Sequence, residues 1–136
     1  MVENVSPQDV WEVLQAEPGA HLVDVRTDAE WNFVGLPDLA AAGKDVVLIP
    51  WQVYPAMQVN AQFAEQLRQA GFTPEQKLFF ICRSGVRSLS AAAAAQAAGY
   101  PHSFNVADGF EGPVDAAGHR GQAAGWKAEG LPWRQR

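Results

Sequence analysis

An α/β fold, an open parallel sheet with helices on both faces, is the class the sequence predicts, and three observations predict it. Short apolar runs alternate with helical patterns along the chain, as parallel strands and their crossovers do. One helical stretch carries the alanine run 91–95, whose small side chains let a helix lie close to a sheet. The chain is 136 residues long, about the length of one domain and enough to bury a core without cross-links. No internal repeat and no long linker divides it.

The elements follow in order. Ser6 is placed to cap a first helix with Pro7 in its opening turn; Val10, Trp11, Val13 and Leu14 form its apolar face, and Pro18-Gly19 ends it. Residues 21–25 read as an apolar strand interrupted by Asp24 and followed by Arg26. Thr27 or Asp28 caps a short helix through Glu30, Trp31 and Phe33, stopped by Gly35 and Pro37. Residues 46–49 form a second strand closed by Pro50, and 51–59 read as irregular. Asn60 is the expected cap of a helix with Phe63, Ala64, Leu67 and Ala70 on its apolar face and Gly71 as its stop. Lys77–Ile81 is a third strand that runs into Cys82, and 86–98 is the alanine-rich helix, closed by Gly99. Ser103–Val106 is a last strand, 108–113 a turn region, and 114–136 a glycine-rich tail. Trp126 and Trp133 mark that tail as packed back on the domain.

Composition narrows the function. Seven Phe and five Trp with a net charge of only −5 argue against disorder. The acidic balance argues against a nucleic-acid binder, which needs basic charge to displace counterions. One cysteine excludes an intramolecular disulfide framework. The N-terminus has no basic segment before a long apolar one, and the alanine run falls far short of the ~20 residues that cross a bilayer. The expectation is a cytoplasmic protein without membrane association, unless a leader has been removed.

The chemistry concentrates at Cys82-Arg83-Ser84-Gly85-Val86-Arg87. On position alone Cys82 is a small buried hydrophobe at a strand end. Its surroundings argue otherwise. A cysteine between a strand and a helix occupies the ligand position of an open α/β sheet. The backbone N–H groups of 83–87 can form an anion-binding nest, and the helix N-terminus adds partial positive charge. Arg83 and Arg87 add two full charges, and no Asp or Glu occurs from residue 76 to 107. Each of these favours thiolate, the nucleophilic form.

This loop resembles the active-site loop of the rhodanese-like sulfurtransferase domain. Leu22-Val-Asp-Val-Arg26 resembles the family's strand ending in Asp-x-Arg, Glu30-Trp31 its Glu-aromatic pair, and Asn105-Val-Ala-Asp-Gly109-Phe-Glu-Gly112 its last glycine turn. The likeness covers about residues 5–133. The segment Gly35-Leu-Pro-Asp-Leu-Ala departs from the family's Gly-His-Ile-Pro-Gly-Ala, and the last turn begins Asp108-Gly109 rather than Gly-Gly. The tail is similar to that of a bacterial single-domain subset.

The resemblance implies a sheet of about five strands and a two-step sulfur transfer through a Cys82 persulfide. A small sulfur-containing anion such as thiosulfate is the implied donor, and cyanide, a thiol or a protein the acceptor. No cofactor and no metal are implied. The N–H groups of Arg83, Ser84, Gly85, Val86 and Arg87 would hold the outer sulfur; Arg83 would attract the donor and Arg87 would close the loop. Asp24 is the candidate partner of Arg87, with Asp24 and Arg26 in supporting roles; Arg26 and Glu30 read as a surface ion pair. Related loops that favour mercaptopyruvate lack arginine in the second and sixth positions.

Two alternatives stand beside this reading. One is a non-catalytic binding, regulatory or sulfur-carrier module, against which the intact Cys82 loop counts. The other is a cysteine phosphatase or arsenate reductase, whose loops place five residues between Cys and Arg where this chain has four. The shorter cradle suits one sulfur atom. His21, His102 and His119 have no metal-ligand spacing, and Trp51, Tyr54 and Met57 are expected in core packing.

Overall fold

A computed structural model describes residues 2–53 and 55–136. Five strands form one parallel sheet: β1 (Glu3–Val5), β2 (Ala20–Asp24), β4 (Val47–Leu48), β7 (Lys77–Ile81) and β8 (Ser103–Val106), in the order β1-β8-β7-β2-β4. β7 lies in the middle, with Leu22 beside Phe79 and Asp24 beside Ile81 on β2, and Phe80 beside Asn105 on β8. The fold is therefore the expected α/β class.

Alternation along β7 divides the core between two faces. Leu78, Phe80 and Cys82 point to the side covered by α3 (Phe63–Gln69) and α4 (Val86–Ala97), where Phe63, Leu67, Ala91, Ala92 and Ala95 pack against them. Phe79 and Ile81 point to the side covered by α1 (Pro7–Ala16), among Val10, Trp11, Leu14, Phe110 and Trp126. Each Val, Leu, Ile or Phe side chain so removed from water stabilises the fold by roughly 1.5–3 kcal/mol before chain entropy is counted. Ala91, Ala92 and Ala95 are fully buried, so α4 lies close to the sheet as the alanine run predicts.

Local signals set the helix starts. Ser6 accepts from Asp9 N at 3.2 Å and opens α1. Thr27, rather than Asp28, caps α2 (Asp28–Val34), in a reciprocal capping box with Glu30. Asn60 does not cap α3 directly. It accepts from Gln62 N at 3.0 Å and donates to Pro50 O and the Gln66 side chain, holding the turn before the helix.

Several elements depart from expectation. β1 completes the sheet by pairing with β8. The stretch expected to be irregular contains a small hairpin, β5 (Gln52–Val53) with β6 (Gln58–Val59). Trp51 packs edge-on against Phe63 as expected of a core residue, whereas Met57 is exposed; the reading of Tyr54 falls outside the described residues. A 3-10 turn covers Ala40–Ala42. In the tail, Trp126 is fully buried and donates its indole N–H to Pro132 O, and β9 (Trp133–Arg134) pairs with β3 (Leu36–Pro37). No helix among the described residues is long and apolar enough to cross a membrane.

Candidate active site

Cys82 sits immediately after β7 with 1% of its surface exposed. The next residues turn through Gly85, whose φ of 110° lies in the left-handed region that glycine tolerates, and enter α4 at Val86. No side chain caps α4 from Gly85. The sulfur takes that place: Cys82 Sγ accepts from Gly85 N at 3.1 Å and from Ser88 N at 3.4 Å. The amides left without partners at a helix start are thereby aimed at the one thiol of the chain. Ser88 Oγ lies 3.2 Å from the same sulfur.

The carbonyl side of the loop is strapped down by the 108–112 turn. Cys82 O accepts from Phe110 N at 2.8 Å, and Arg83 O accepts from Glu111 N and Gly112 N. A β-carbon on Gly109 would stand 2.4 Å from Cys82 O, so this close approach requires glycine. The tail holds the turn in its own right, with Trp126 N donating to Gly109 O and Lys127 N to Phe110 O.

Arg87 reaches from the first turn of α4 to α2. Its two terminal nitrogens donate to the two carboxylate oxygens of Glu30 at 2.7 and 2.8 Å. Burial alone would raise the Glu30 carboxyl, but the Arg87 hydrogen bonds and charge and the Thr27 cap outweigh it and hold it below its ordinary value. Arg87 is held above its own ordinary value chiefly by that bond, against its burial.

This corrects the expected pairing of Asp24 with Arg87 and of Arg26 with Glu30. Asp24 is fully buried and takes four bonds from Arg26, two from Nε, one from Nη2 at 2.7 Å and one from the backbone N–H. Arg26, equally buried, also donates to Gly35 O and lies over the Phe110 ring at 4.4 Å. The two side chains are bonded to each other and buried away from solvent, and Arg26 Nη1 is left without a hydrogen-bond partner.

Of the loop residues, Arg83 and Val86 are exposed and Ser84, Gly85 and Arg87 half-buried. An open depression of about 430 Å³ beside the loop is lined by Asn4, Ser84, Gly85, Val86, Asn105 and Asp108, among others. One of similar size, about 440 Å³, lies at the other end of the sheet around His21 and Lys44, away from the thiol. Sequence reasoning gave Ser88 and Asn105 no role at the thiol and gave Glu30 the wrong partner. Ser88 had a readable signal, because it shares the helical spacing of the buried Ala91, Ala92 and Ala95.

A thiol capping a helix through a short glycine loop is a sulfur- or oxyanion-handling geometry, and comparison with known proteins decides its lineage. The family model for the rhodanese-like domain matches residues 6–116. The chain belongs to that family. Among solved structures, the rhodanese-like chain is similar to Rv0390 of Mycobacterium tuberculosis, with 47% identity, a TM-score of 0.90 and coverage of 99% of this chain and 98% of that one. The human single domain sulfurtransferase TSTD1 is similar at 26% identity and a TM-score of 0.54, over 81% of this chain and 93% of that one. An uncharacterized protein of Rickettsia conorii is 36% identical over 134 residues, 98% of each chain.

Proposed function

We propose that this rhodanese-like protein is a sulfurtransferase that moves a sulfane sulfur from thiosulfate or a related anionic donor to a thiol or cyanide through a Cys82 persulfide. The observation that carries the proposal is the pair of helix-start amides on Cys82 Sγ. N–H groups converging on a sulfur favour its anionic form without a separate base.

In the first step the Cys82 thiolate attacks the outer sulfur of the donor. A bond forms between Sγ and that sulfur, the bond to the sulfonate sulfur breaks, and sulfite leaves with the electron pair. The negative charge moves to the outer sulfur of the persulfide, where the loop N–H groups act as an oxyanion hole would. In the second step the acceptor attacks that outer sulfur and the Cys82 thiolate is released. Division into two displacements is covalent catalysis. Exposed Arg83 attracts the anionic donor, and Arg87, fixed by Glu30, holds the loop closed.

Intact mass after incubation with thiosulfate tests the proposal. Wild type gains one sulfur atom that cyanide or a thiol removes, and Cys82→Ser gains none. Absence of the gain with both thiosulfate and glutathione persulfide as donors would leave the family and remove the enzyme.

A further inference from the structure

The thiol has an oxygen neighbour whose proton is already committed. Asn105 lies on β8, 4% exposed, and its side-chain amide has one orientation the surroundings accept. Nδ2 faces Gly85 O at 3.2 Å, and a backbone carbonyl can only accept, so this end must be the NH2 group. Nδ2 also donates to Asn4 Oδ1 at 2.8 Å. Oδ1 therefore faces Ser88 Oγ, and because an amide oxygen only accepts, Ser88 must donate to it. A serine hydroxyl has a single proton. Once that proton points at Asn105, Ser88 turns a lone pair toward Cys82 Sγ, 3.2 Å away.

We propose that Asn105 is a positioning residue that withholds the Ser88 proton from Cys82, so that the thiolate favoured by the loop amides gains the Ser88 hydrogen bond only when Ser88 lets go of Asn105. In the thiol, S–H donates to Ser88 Oγ while the sulfur accepts from Gly85 N and Ser88 N, and every group is satisfied. In the free thiolate, the Ser88 lone pair would face a negative sulfur. The hydroxyl must rotate to donate to it, and the Asn105 Oδ1 bond is lost. In a persulfide, Sγ is divalent and uncharged, the charge sits on the outer sulfur, and the Ser88–Asn105 bond forms again. Asn105 thus acts against the free thiolate alone, and favours the sulfur-loaded form over it. This last consequence rests on the sulfurtransferase reading; the proton placement does not.

The pH dependence of Cys82 alkylation by iodoacetamide tests the placement without any sulfur donor. Asn105→Leu frees the Ser88 proton for the sulfur and shifts the midpoint to lower pH, with about five- to tenfold more thiolate on the rising limb, the usual gap between a neutral and a charge-assisted hydrogen bond. Asn105→Asp is a stronger acceptor and carries charge, so the midpoint moves to higher pH. In a Ser88→Ala background Asn105→Leu leaves the midpoint where Ser88→Ala alone puts it. Asn105→Val, suited to a strand, replaces the leucine variant if that one fails to fold. Shifts in the same direction for the apolar and acidic variants, or a shift that persists without the Ser88 hydroxyl, would overturn the proposal. Loading from a thiosulfate and sulfite mixture then separates the two readings: Asn105→Leu carries a smaller loaded fraction than wild type. A wild type that never loads would count against the sulfurtransferase while the alkylation result stands.

Discussion

Gly109 is the residue on which the loop most directly rests, though it touches no sulfur. Its φ of 64° and the 2.4 Å that would separate a β-carbon from Cys82 O leave room for no other side chain. The obstacle is backbone on both sides, so it cannot swing away. Gly109→Ala is expected to destabilise the fold by about 2–4 kcal/mol, from overpacking added to left-handed strain. Thermal melting reads the first effect, and Cys82 alkylation reads displacement of the loop. A variant that melts like wild type would show that the approach is looser than the distances say. Residue identity was legible in the sequence to different depths. The Cys82 loop stood out because its charges and glycine are contiguous. Partners were not: Asp24 carries no mark that says its arginine is two residues away rather than across the sheet.

At the scale of elements, the Glu30–Arg87 bridge joins α2 to α4 and so fixes the helix whose amides face the thiol. The folded state holds the Glu30 carboxyl below its ordinary value of 4.5. The folded state therefore binds fewer protons there than the unfolded one as acid is added. Its contribution to stability is complete above pH 4.5 and is lost as pH falls through the lowered folded value. Glu30→Gln is expected to lower the melting temperature at neutral pH and to narrow the gap from wild type as the solution is acidified. A gap that stays constant down to about pH 3 would mean the bridge contributes packing rather than charge. The elements hidden from sequence reading are the short ones. β1 has three residues, and β3, β5, β6 and β9 two each, too few for alternation to show; each exists because its partner supplies the hydrogen bonds. The long helices carry their own period and β7 a continuous apolar run, so these were readable.

Across the whole molecule, the two ends of the sheet handle charge differently. The thiol end gathers helix-start amides. At the other end Lys44 Nζ donates to Leu14 O, Glu17 O and Ala20 O between 2.6 and 2.8 Å, closing the C-terminal end of α1 with a cation. His21 lies near it, its ring 5.1 Å from Phe72. Burial, with the Lys44 charge behind it, holds His21 below its ordinary 6.5. Folding thus favours the neutral ring, and the unfolded chain takes up the proton first. Stability from this end is present above pH 6.5 and falls as pH drops through 6.5 toward the lowered folded value. His21→Gln is expected to flatten the melting curve against pH between about 7.5 and 5.5. An unchanged slope would place that acid sensitivity elsewhere.

The tail has a consequence for where this molecule can be cut. The support of the Cys82 loop does not stop where the family match stops, at residue 116; it passes through Gly109 to Trp126 N and on to β9. Residues 113–119 between them are exposed or half-buried. The docking on the turn begins after them, where Arg120 donates to Gly112 O and Gly121 N to Glu111 O, so a nick within 113–119 severs the covalent link and leaves the docking surfaces whole. The body and a peptide beginning near residue 120 would behave as lock and key, and the geometry around the thiol would follow the peptide's concentration along a saturation curve.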